Sequence, residues 1–556
     1  MDKLSFELIS LIVDNLEKIS VQTLEEIDED NSEELNEVLP LAPYAVISRQ
    51  WQAVIERRTF AHLNVSDPHT FQTVVASSPS RLAALRVVCF ELILPTHGEL
   101  RVDHRQNQTA FLSAITSLLG SLAAGEGKLH DDHYNKTHSM GSIELRLGTK
   151  FRGRRPRASA ASKRSIALRE EDLETMAKVR GVSHLNVVAT DWVEAALPKL
   201  WAPSYVPLHP FTSCQLATHF PGLQRLQLQY RDPALKRAAL RKTTRSALAR
   251  GIDSLGQLPK LEELSIQRVG HEPANHSFDN PCLEDNERID VAVDTLCDSL
   301  RKLAQNGRLQ KLELQCEFIS PDLFRDRRRR HPGRDHDGDQ GKEETEDDWP
   351  SLRSFEIRAS IVAPSGRWYY TGNQDDVEQT VPLLGVPSVS DVPADDGEDD
   401  VDDVDNSSEA CSDADADDFL RDREANGAIP LHPWRTKPIP EEFNPLVVDL
   451  VSAVGRMPRL KSGSFLIDKL EHSGFYGRNP ILLRCHEAGE LIWNKREERN
   501  EVVTSDETQE PCRLWEIEFD KDTAWKVPPK LRRQCVDWVG PGGKVLIGHG
   551  YGEDSD

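Results

Sequence analysis

The sequence predicts an α/β protein in which N-terminal helices are followed by an irregular solenoid of short parallel strands alternating with helices. Three observations lead to this prediction. An apolar-x-x-apolar-x-apolar spacing recurs along the chain, stretches with helical periodicity precede several copies, and 556 residues exceed what one hydrophobic core usually organises. A unit of one helix, one turn and one strand cannot cover its own apolar face, so stacked copies would bury it.

The composition permits a core and argues against nucleic acid as a main partner. Hydrophobic residues make up 38% of the chain, with few aromatics, which suits stacked helices and short strands. The formal net charge is −24. Residues 391–418 hold fourteen Asp or Glu and no Lys or Arg, so this segment supplies −14 and leaves −10 for the rest. The remainder is therefore only mildly acidic.

The cysteines and the N-terminus predict a cytoplasmic or nuclear protein. Nine scattered cysteines without a CxxC pair fit free thiols in a reducing compartment better than a disulfide framework or a zinc site. The first residues lack the basic flank and long apolar run of a signal peptide. No stretch approaches the roughly 18 uninterrupted apolar residues of a membrane span, so no membrane association is expected.

Two apolar stretches near the N-terminus have helical periodicity. The first, LSFELISLIVDNL over residues 4–16, repeats apolar residues at three- and four-residue steps, and Ser5 is placed to cap it. The second, LAPYAVISRQWQAVIE, starts at Leu41, and Pro43 suits the first turn of a helix, where its missing N–H leaves no bond unmade. Helices this short bury little apolar surface, so they are expected to need a partner.

Together these stretches resemble the two halves of an F-box, whose pattern is Leu-Pro-x-Glu with apolar positions after it, then Val-(Cys/Ser)-Arg-x-Trp. The matching residues, with Val46 directly before the second half, are Leu4, Glu7, Leu8, Ile9, Ile12, Leu16, Val46, Ile47, Ser48, Arg49 and Trp51. The resemblance implies that they bind a Skp-type adaptor, and through it a cullin carrying the ubiquitin-transfer machinery. Ser5 stands where the family has Pro, and residues 17–38 form an acidic insertion between the halves.

The recurring apolar spacing outranks any local motif as evidence for the fold. Its copies are Phe60/Leu63/Val65, Leu82/Leu85/Val87, Val182/Leu185/Val187, Leu223/Leu226/Leu228, Leu261/Leu264/Ile266, Leu309/Leu312/Leu314, Leu352/Phe355/Ile357, Leu514/Ile517/Phe519 and a looser Leu460/Gly463/Phe465. Four copies have a Pro two residues before the first apolar position, namely Pro221, Pro259, Pro350 and Pro458. Residues 291–305 and 444–457 are helical stretches that precede two of the copies.

This body resembles the irregular, long-repeat leucine-rich bodies of many F-box proteins, particularly fungal ones. The competing interpretation is a non-repetitive α/β domain in which the spacing arises by chance. The predicted organisation has an F-box-like helical domain at 1–58 and a leucine-rich-repeat-like solenoid at 59–370. An acidic disordered insertion at 371–430 and the C-terminal part of the solenoid at 431–556 follow.

Three charged segments are predicted to be insertions. Residues 150–164 hold seven bases and no acid, which suits a nuclear-import signal, a polyanion contact or a solvated loop. Residues 325–348 form a mixed-charge loop between two repeats. The acidic tract at 391–418 has almost no large apolar residues, so it is interpreted as an inert or solubilising disordered insertion.

The sequence offers no catalytic residue, cofactor site or metal site. His130, Asp131, Asp132, His133 and His138 are ligand types without a helix that places two imidazoles on one face, so adventitious binding is the better interpretation. The C-terminal GPGGKVLIGHGYG lacks the phosphate-cradle motif and is interpreted as a turn and a terminal strand. Hydrolase, kinase and zinc-protease signatures are not found, and no enzymatic activity is expected.

The resemblance and the repeats together predict that the chain is a substrate-recognition adaptor of an SCF-type (Skp–cullin–F-box) ubiquitin ligase. It would recruit an unknown protein target through the repeat body. The alternative is a leucine-rich-repeat-like interaction scaffold outside a ubiquitin ligase, in which the helices only cap the solenoid. Inward packing of the helices on the first repeats, with Ile12 and Trp51 buried, would favour the alternative. A third hypothesis, polyanion binding through residues 150–164, predicts affinity that falls steeply with salt.

Overall fold

The computed structural model describes most of the chain, with several gaps. The described residues are 4–14, 41–94, 100–131, 141–151, 165–187, 206–270, 272–284, 293–325, 349–380, 420–467, 480–494, 499–506, 508–520 and 523–548. The chain forms two compact units. Unit 1 comprises Met1–Tyr230 and Ser254–Ser265, and unit 2 comprises Arg231–Asp253 and Ile266–Asp556.

Helices and strands alternate in the first part of the chain. Its helices are α1 (6–14), α2 (Arg49–Thr59), α3 (Pro68–Phe71), α4 (Pro79–Ala84), α5 (Leu100–Asp131), α6 (Glu170–Glu174) and α7 (Pro210–Ala217), with a 3₁₀ turn at Ala42–Val46 and a π turn at Gln72–Ala76. Its strands are β1 (His62–Val65), β2 (Val87–Leu94), β3 (Ile143–Phe151), β4 (Val182–Val187) and β5 (Arg225–Arg231).

The second part contains more strands than helices. Its helices are α8 (Ala238–Leu255), α9 (Thr295–Gln305), α10 (420–425), α11 (Pro440–Val454) and α12 (Pro529–Val539), with 3₁₀ turns at Pro321–Leu323 and Gln374–Asp376. Its strands are β6 (Glu263–Val269), β7 (Lys311–Glu317), β8 (Ser354–Ala359), β9 (Tyr370–Thr371), β10 (Lys437–Pro438), β11 (Ser462–Ile467), β12 (Ile481–His486), β13 (Leu491–Asn494), β14 (Arg499–Val502), β15 (Leu514–Phe519) and β16 (Lys544–Gly548).

In unit 1 the strands β1 to β5 are neighbours in chain order, and each adjacent pair is parallel. Val65 of β1 lies beside Phe90 of β2, so buried positions line up across the sheet. Because parallel neighbours require a crossover, the helical segments between these strands are expected from the topology itself. Unit 1 is therefore an α/β assembly with a parallel sheet, as predicted.

In unit 2 the sheet is mostly parallel but contains one reversal. The strand order is β7-β8-β11-β12-β15-β16, and β7–β8, β8–β11 and β15–β16 are parallel pairs. Strand β12 is antiparallel to both β11 and β15. Two short antiparallel pairs, β9–β10 and β13–β14, lie outside this sheet. The predicted parallel arrangement therefore holds for most of these strands but not for β12, whose direction the local apolar pattern does not encode.

The apolar spacing marks the strands correctly. In every copy except Leu82/Leu85/Val87, the second and third apolar positions lie on a strand. In that exception Leu82 belongs to α4, and the strand begins only at Val87. Residues two apart on a strand point to the same side, so these positions form the buried face, as Leu226 and Leu228 of β5 do.

The opposite face of β5, β7 and β8 is polar. In unit 1, Arg225 and Gln227 of β5 are exposed beside buried neighbours, and the Gln227 Oε1 accepts a hydrogen bond of 2.8 Å from Asn186 Nδ2. In unit 2, Glu313 of β7 lies next to Glu356 of β8 on the polar side. This alternation leaves a row of charged and amide side chains available for a ligand on each unit.

The long helix α5 contains a strongly apolar stretch. Residues His104–Leu129 are long and apolar enough to cross a membrane by length and composition alone. Five of its side chains have no exposed surface, and these are Phe111, Ile115, Leu118, Leu119 and Leu122. Burial within unit 1 accounts for the apolar character of these five positions.

The predicted insertions mostly fall outside the described residues. Lys150 and Phe151 end β3, whereas 152–164, 326–348 and 381–419 are not described. His130 and Asp131 end α5, and the remainder of that histidine cluster is likewise not described. The prediction for the C-terminal glycine-rich segment is confirmed, because a turn precedes strand β16.

A buried histidine of unit 1 is expected to make its stability depend on pH. Burial, with a smaller contribution from Lys178, lowers the pKa of His219 below its ordinary value of 6.5. The unfolded chain therefore binds this proton first, and as the pH falls below about 6.5 the folded state loses stability. The melting temperature should fall more between about pH 7.5 and about pH 5.5 for the wild type than for His219→Gln, which cannot titrate there. Equal falls would contradict the prediction.

Candidate partner-binding surface of the N-terminal helices

Both N-terminal helices begin at a serine cap. Ser5 Oγ accepts a hydrogen bond of 3.4 Å from the backbone N–H of Leu8, which confirms the predicted cap of α1. Ser48 Oγ accepts one of 3.4 Å from the backbone N–H of Trp51 and caps α2. Pro43 lies at the start of the 3₁₀ turn, where the sequence places it. The 3₁₀ turn therefore leads directly into α2 through the Ser48 cap.

The two helices form a small core of their own. The residues of this core are Ile9 and Val13 of α1 with Trp51, Val54 and Ile55 of α2, and the partly buried Leu4, Leu41, Tyr44 and Ala45 pack against it. The rings of Tyr44 and Trp51 stack with centroids 6.4 Å apart. The hydrophobic cluster around Trp51 is therefore made of the two helices and the turn that precedes α2.

Polar contacts hold α1 against α2 at the end of α1. Arg58 forms a salt bridge with Asp14, and its Nη2 also donates a 3.5 Å hydrogen bond to the carbonyl of Ser10. Partial burial lowers the pKa of the Arg58 guanidinium, which stays charged because arginine titrates far above neutral pH. This contact fixes which side of α1 faces α2.

The opposite side of α1 presents apolar side chains to solvent. Leu8 is 50% exposed, Leu11 56% and Ile12 38%, and these residues are neighbours because they are three and four apart on a helix. Phe6 is also exposed, and so are Val46 at the end of the 3₁₀ turn, with 86% exposure, and Ile47 directly after it. We name Phe6, Leu8, Leu11, Ile12, Val46 and Ile47 the N-terminal apolar surface. Exposed apolar groups on so short a segment are typical of a binding surface.

The structure divides the residues of the F-box resemblance into three groups. Leu8, Ile12, Val46 and Ile47 lie on the N-terminal apolar surface, and the polar Glu7 and Arg49 are exposed near them in sequence. Ile9 and Trp51 lie in the core, Leu4 is partly buried and Ser48 serves as a cap, so these four hold the helices rather than face outward. Leu16 lies outside the described residues.

Two exposed residues were missed by the sequence interpretation. Phe6 and Leu11 belong to the N-terminal apolar surface but do not match the family pattern. Leu11 lies three residues after Leu8 and could have been included from helical periodicity alone.

The Glu7 carboxylate accepts hydrogen bonds from its own backbone N–H and from Ser5, which lower its pKa and keep it charged at the start of α1.

The other side of α2 is bound to the segment that follows. Arg81 Nη2 donates a 3.0 Å hydrogen bond to Glu56 Oε1, and the Arg81 guanidinium carbon lies 4.7 Å from the Phe60 ring centroid. Arg81 belongs to α4, so these contacts tie α2 to the first strand–helix unit. The helix pair is thus attached through α2, while the exposed side of α1 stays accessible.

Truncating Trp51 is expected to unfold the helix pair locally. Trp51 is only 6% exposed at the centre of the small core, and replacing a buried aromatic residue with Ala costs about 3–5 kcal/mol. Amide hydrogen exchange at Ile9 and Val13 should accelerate in Trp51→Ala, because their helix loses its main packing partner. The control Val46→Ala removes an exposed side chain and should leave these rates unchanged. Unchanged exchange in Trp51→Ala would contradict the assigned core.

Comparison with known proteins gives no relative. No protein-family model matches the chain, and no curated protein matches it.

Proposed function

We propose that this chain is the substrate-recognition adaptor of an SCF-type ubiquitin ligase. In this proposal the N-terminal apolar surface binds a Skp-type adaptor, which links the chain to a cullin, and the body holds a protein target. The observation that carries the proposal is the pair of faces on α1. One face, with Ile9 and Val13, builds a core with α2, and the other presents Leu8, Leu11 and Ile12.

The chemistry of this surface fits a protein partner with an apolar groove. Leucine and isoleucine side chains spaced three and four apart are the anchors of a helix that lies in such a groove. The core beneath them is formed without the partner, so little ordering entropy is lost at α1 on binding. The F-box resemblance, carried by the Leu-x-x-Glu start and the Ser-Arg-x-Trp run, supports a Skp-type adaptor as this partner.

The proposed mechanism is positioning and needs no catalytic group in this chain. Holding a target beside a ubiquitin-charged enzyme converts an encounter in solution into a reaction at high effective concentration. In this proposal the leucine-rich-repeat-like body provides the surface that binds the target. The polar sides of β5, β7 and β8 are the candidate contacts, because their alternating residues point away from the buried face.

The test is direct binding between the full chain and a purified Skp-type adaptor, measured by isothermal titration calorimetry. The proposal predicts a saturable complex that assembles further with a cullin. Titration heat equal to that of dilution, with the chain shown to be folded by circular dichroism, would overturn it. A chain that binds the adaptor should also direct ubiquitin onto proteins captured by proximity labelling with the ligase blocked.

A scaffold outside a ubiquitin ligase is the second candidate. The contacts of Arg81 with Glu56 and Phe60 favour it, because they let α2 cap the first strand–helix unit. Burial of Trp51 agrees with a cap, whereas the 38% exposure of Ile12 does not. In this alternative the adaptor is not bound, but targets captured by the body still associate with the chain.

A further inference from the structure

One arginine of unit 2 is enclosed by aromatic rings and backbone carbonyls. The guanidinium carbon of Arg435 lies 4.1 Å from the ring centroid of Trp434 and 4.9 Å from that of Trp368. Its Nε donates a 2.9 Å hydrogen bond to the carbonyl of His276, and its Nη1 donates one of 2.9 Å to the carbonyl of Tyr370. The guanidinium is therefore held in one place and orientation.

The backbone at this position is also fixed. The backbone N–H of Arg435 donates a 2.8 Å hydrogen bond to His276 Nδ1, and that of Thr436 donates one of 2.8 Å to the carbonyl of Thr371. Lys437 and Pro438 then pair with Thr371 and Tyr370 as strand β10 beside β9. Arg435 is thus preorganised, so a ligand would not have to order it.

The positive charge of Arg435 has no acidic partner among the residues that the structure describes. The buried arginines that the structure describes in unit 2 differ in this respect. Arg241 and Arg268 pair with Asp232, Arg245 pairs with Asp294, and Arg301 pairs with Asp298. Burial alone lowers the pKa of Arg435 to about 10, with no contribution from a neighbouring charge. A partly desolvated cation without a counterion is unfavourable, and an anion would relieve this cost.

Donor groups remain for such an anion. Arg435 uses Nε and one Nη1 hydrogen on carbonyls, so both Nη2 hydrogens are without an acceptor in the described part of the chain. Ser277 is exposed, and its Oγ accepts a 3.2 Å hydrogen bond from Trp434 Nε1, which leaves the hydroxyl hydrogen to donate. The guanidinium lies over the face of the Trp434 ring, and Ser277 lies at the indole N–H edge of the same ring.

We propose that Arg435 is an anion-binding residue that takes a phosphate or carboxylate group of a peptide partner. The Nη2 group donates to the anion, Ser277 supplies a second donor, and the half-exposed Trp434 ring flanks the peptide. Planar guanidinium donors match both oxyanions, and Arg and Trp are the residues that most often dominate peptide and protein contacts. This inference does not depend on adaptor binding by the N-terminal apolar surface.

The test uses the full chain labelled with 5-fluorotryptophan and ¹⁹F NMR, with Trp434→Phe and Trp368→Phe to assign the two resonances. Phenyl phosphate and benzoate are the probes, titrated separately at constant ionic strength. Saturable shifts of both resonances with either probe support the site. Stronger binding of phenyl phosphate identifies a phosphorylated partner, and stronger binding of benzoate identifies a carboxylate.

The variants separate the site from a general salt effect. Arg435→Gln should weaken binding of the stronger probe by about tenfold or more, because one charge-assisted contact is lost. Arg367→Gln is the matched control, since Arg367 is an exposed arginine of unit 2 paired with Glu442, and it should leave the affinity unchanged. If Arg435→Gln does not fold, Arg435→Lys and Ser277→Ala replace it, each with weaker binding expected. Shifts that do not saturate, or that persist equally in the folded variants, would overturn the inference.

Discussion

Replacing Leu8 and Leu11 together by glutamate is expected to lower the affinity of the full chain for a Skp-type adaptor by at least about 100-fold. Both side chains are half exposed on α1, so their removal costs little in the free chain. In the complex the same positions would place two carboxylates in an apolar groove, where unpaired charges are strongly unfavourable. The measurement is calorimetric titration of wild type and variant with the purified adaptor.

The control for this prediction is a double variant on other helices. Leu240 of α8 and Val536 of α12 are exposed to a similar degree, so Leu240→Glu with Val536→Glu adds the same charge elsewhere. This control should bind the adaptor like the wild type. Unchanged affinity in the Leu8/Leu11 variant, with amide exchange showing α1 still folded, would remove α1 from the interface and favour the scaffold function.

Replacing Asp294 by Ala is expected to destabilise unit 2 by about 3–5 kcal/mol, because it breaks the closer of two buried ion pairs and leaves Arg245 with the 3.6 Å contact to Glu317. Asp294 is 1% exposed, and its two oxygens accept hydrogen bonds of 2.8 and 2.9 Å from Arg245 Nη2. Its carboxylate also accepts 2.8 Å from Ser320 Oγ and caps α9 through the backbone N–H of Cys297. The free energy of unfolding, followed by tryptophan fluorescence in urea, measures the loss.

Two further variants test the cause of this loss. Glu442→Ala breaks the exposed pair with Arg367 and should change the free energy of unfolding by less than about 1 kcal/mol. Combining Asp294→Leu and Arg245→Met with Glu317→Gln removes the three charges of this buried cluster and should recover part of the stability lost in Asp294→Ala. A triple variant as unstable as Asp294→Ala would show that capping and packing, rather than the broken ion pair, account for the effect.

Much of the strand pattern was predictable because burial on a sheet repeats every second residue. Leu312 and Leu314 of β7, and Leu264 and Ile266 of β6, lie where the apolar spacing places them. Strand β3 was missed although Met140, Ile143 and Leu145 have the same spacing. Helix α5 was missed as well, although its buried residues recur with helical periodicity.

The direction of β12 could not be predicted in this way. Its run ILLRCH has apolar residues typical of a buried strand, but such a run is equally compatible with parallel and antiparallel neighbours. The direction of β12 is decided by its pairing with β11 and β15. Neither strand follows or precedes β12 through a tight turn, because β11 ends at residue 467 and β15 begins at residue 514. Local side-chain periodicity reports which face is buried and carries no information on strand polarity.

The sequence by itself determined which segments become helices and strands, because local periodicity selects the residues that can share a buried face. For the N-terminal helices it determined the caps Ser5 and Ser48 and the apolar character of α1. Only the tertiary structure decided that Ile9 and Trp51 form the core while Leu8 and Leu11 face solvent. All four side chains are apolar, so their hydrophobicity does not distinguish them. Which of them are buried depends on the side of α1 against which α2 packs.

The same distinction applies to Arg435. Nothing in the segment around this residue separates it from the paired arginines of unit 2. Its carbonyl partners come from His276 and Tyr370, more than sixty residues away in the chain, and its ring contact Trp368 is equally remote. A buried cation acquires its counterion, or lacks one, only when distant segments fold together, because electrostatic partners are chosen by spatial proximity and not by sequence spacing.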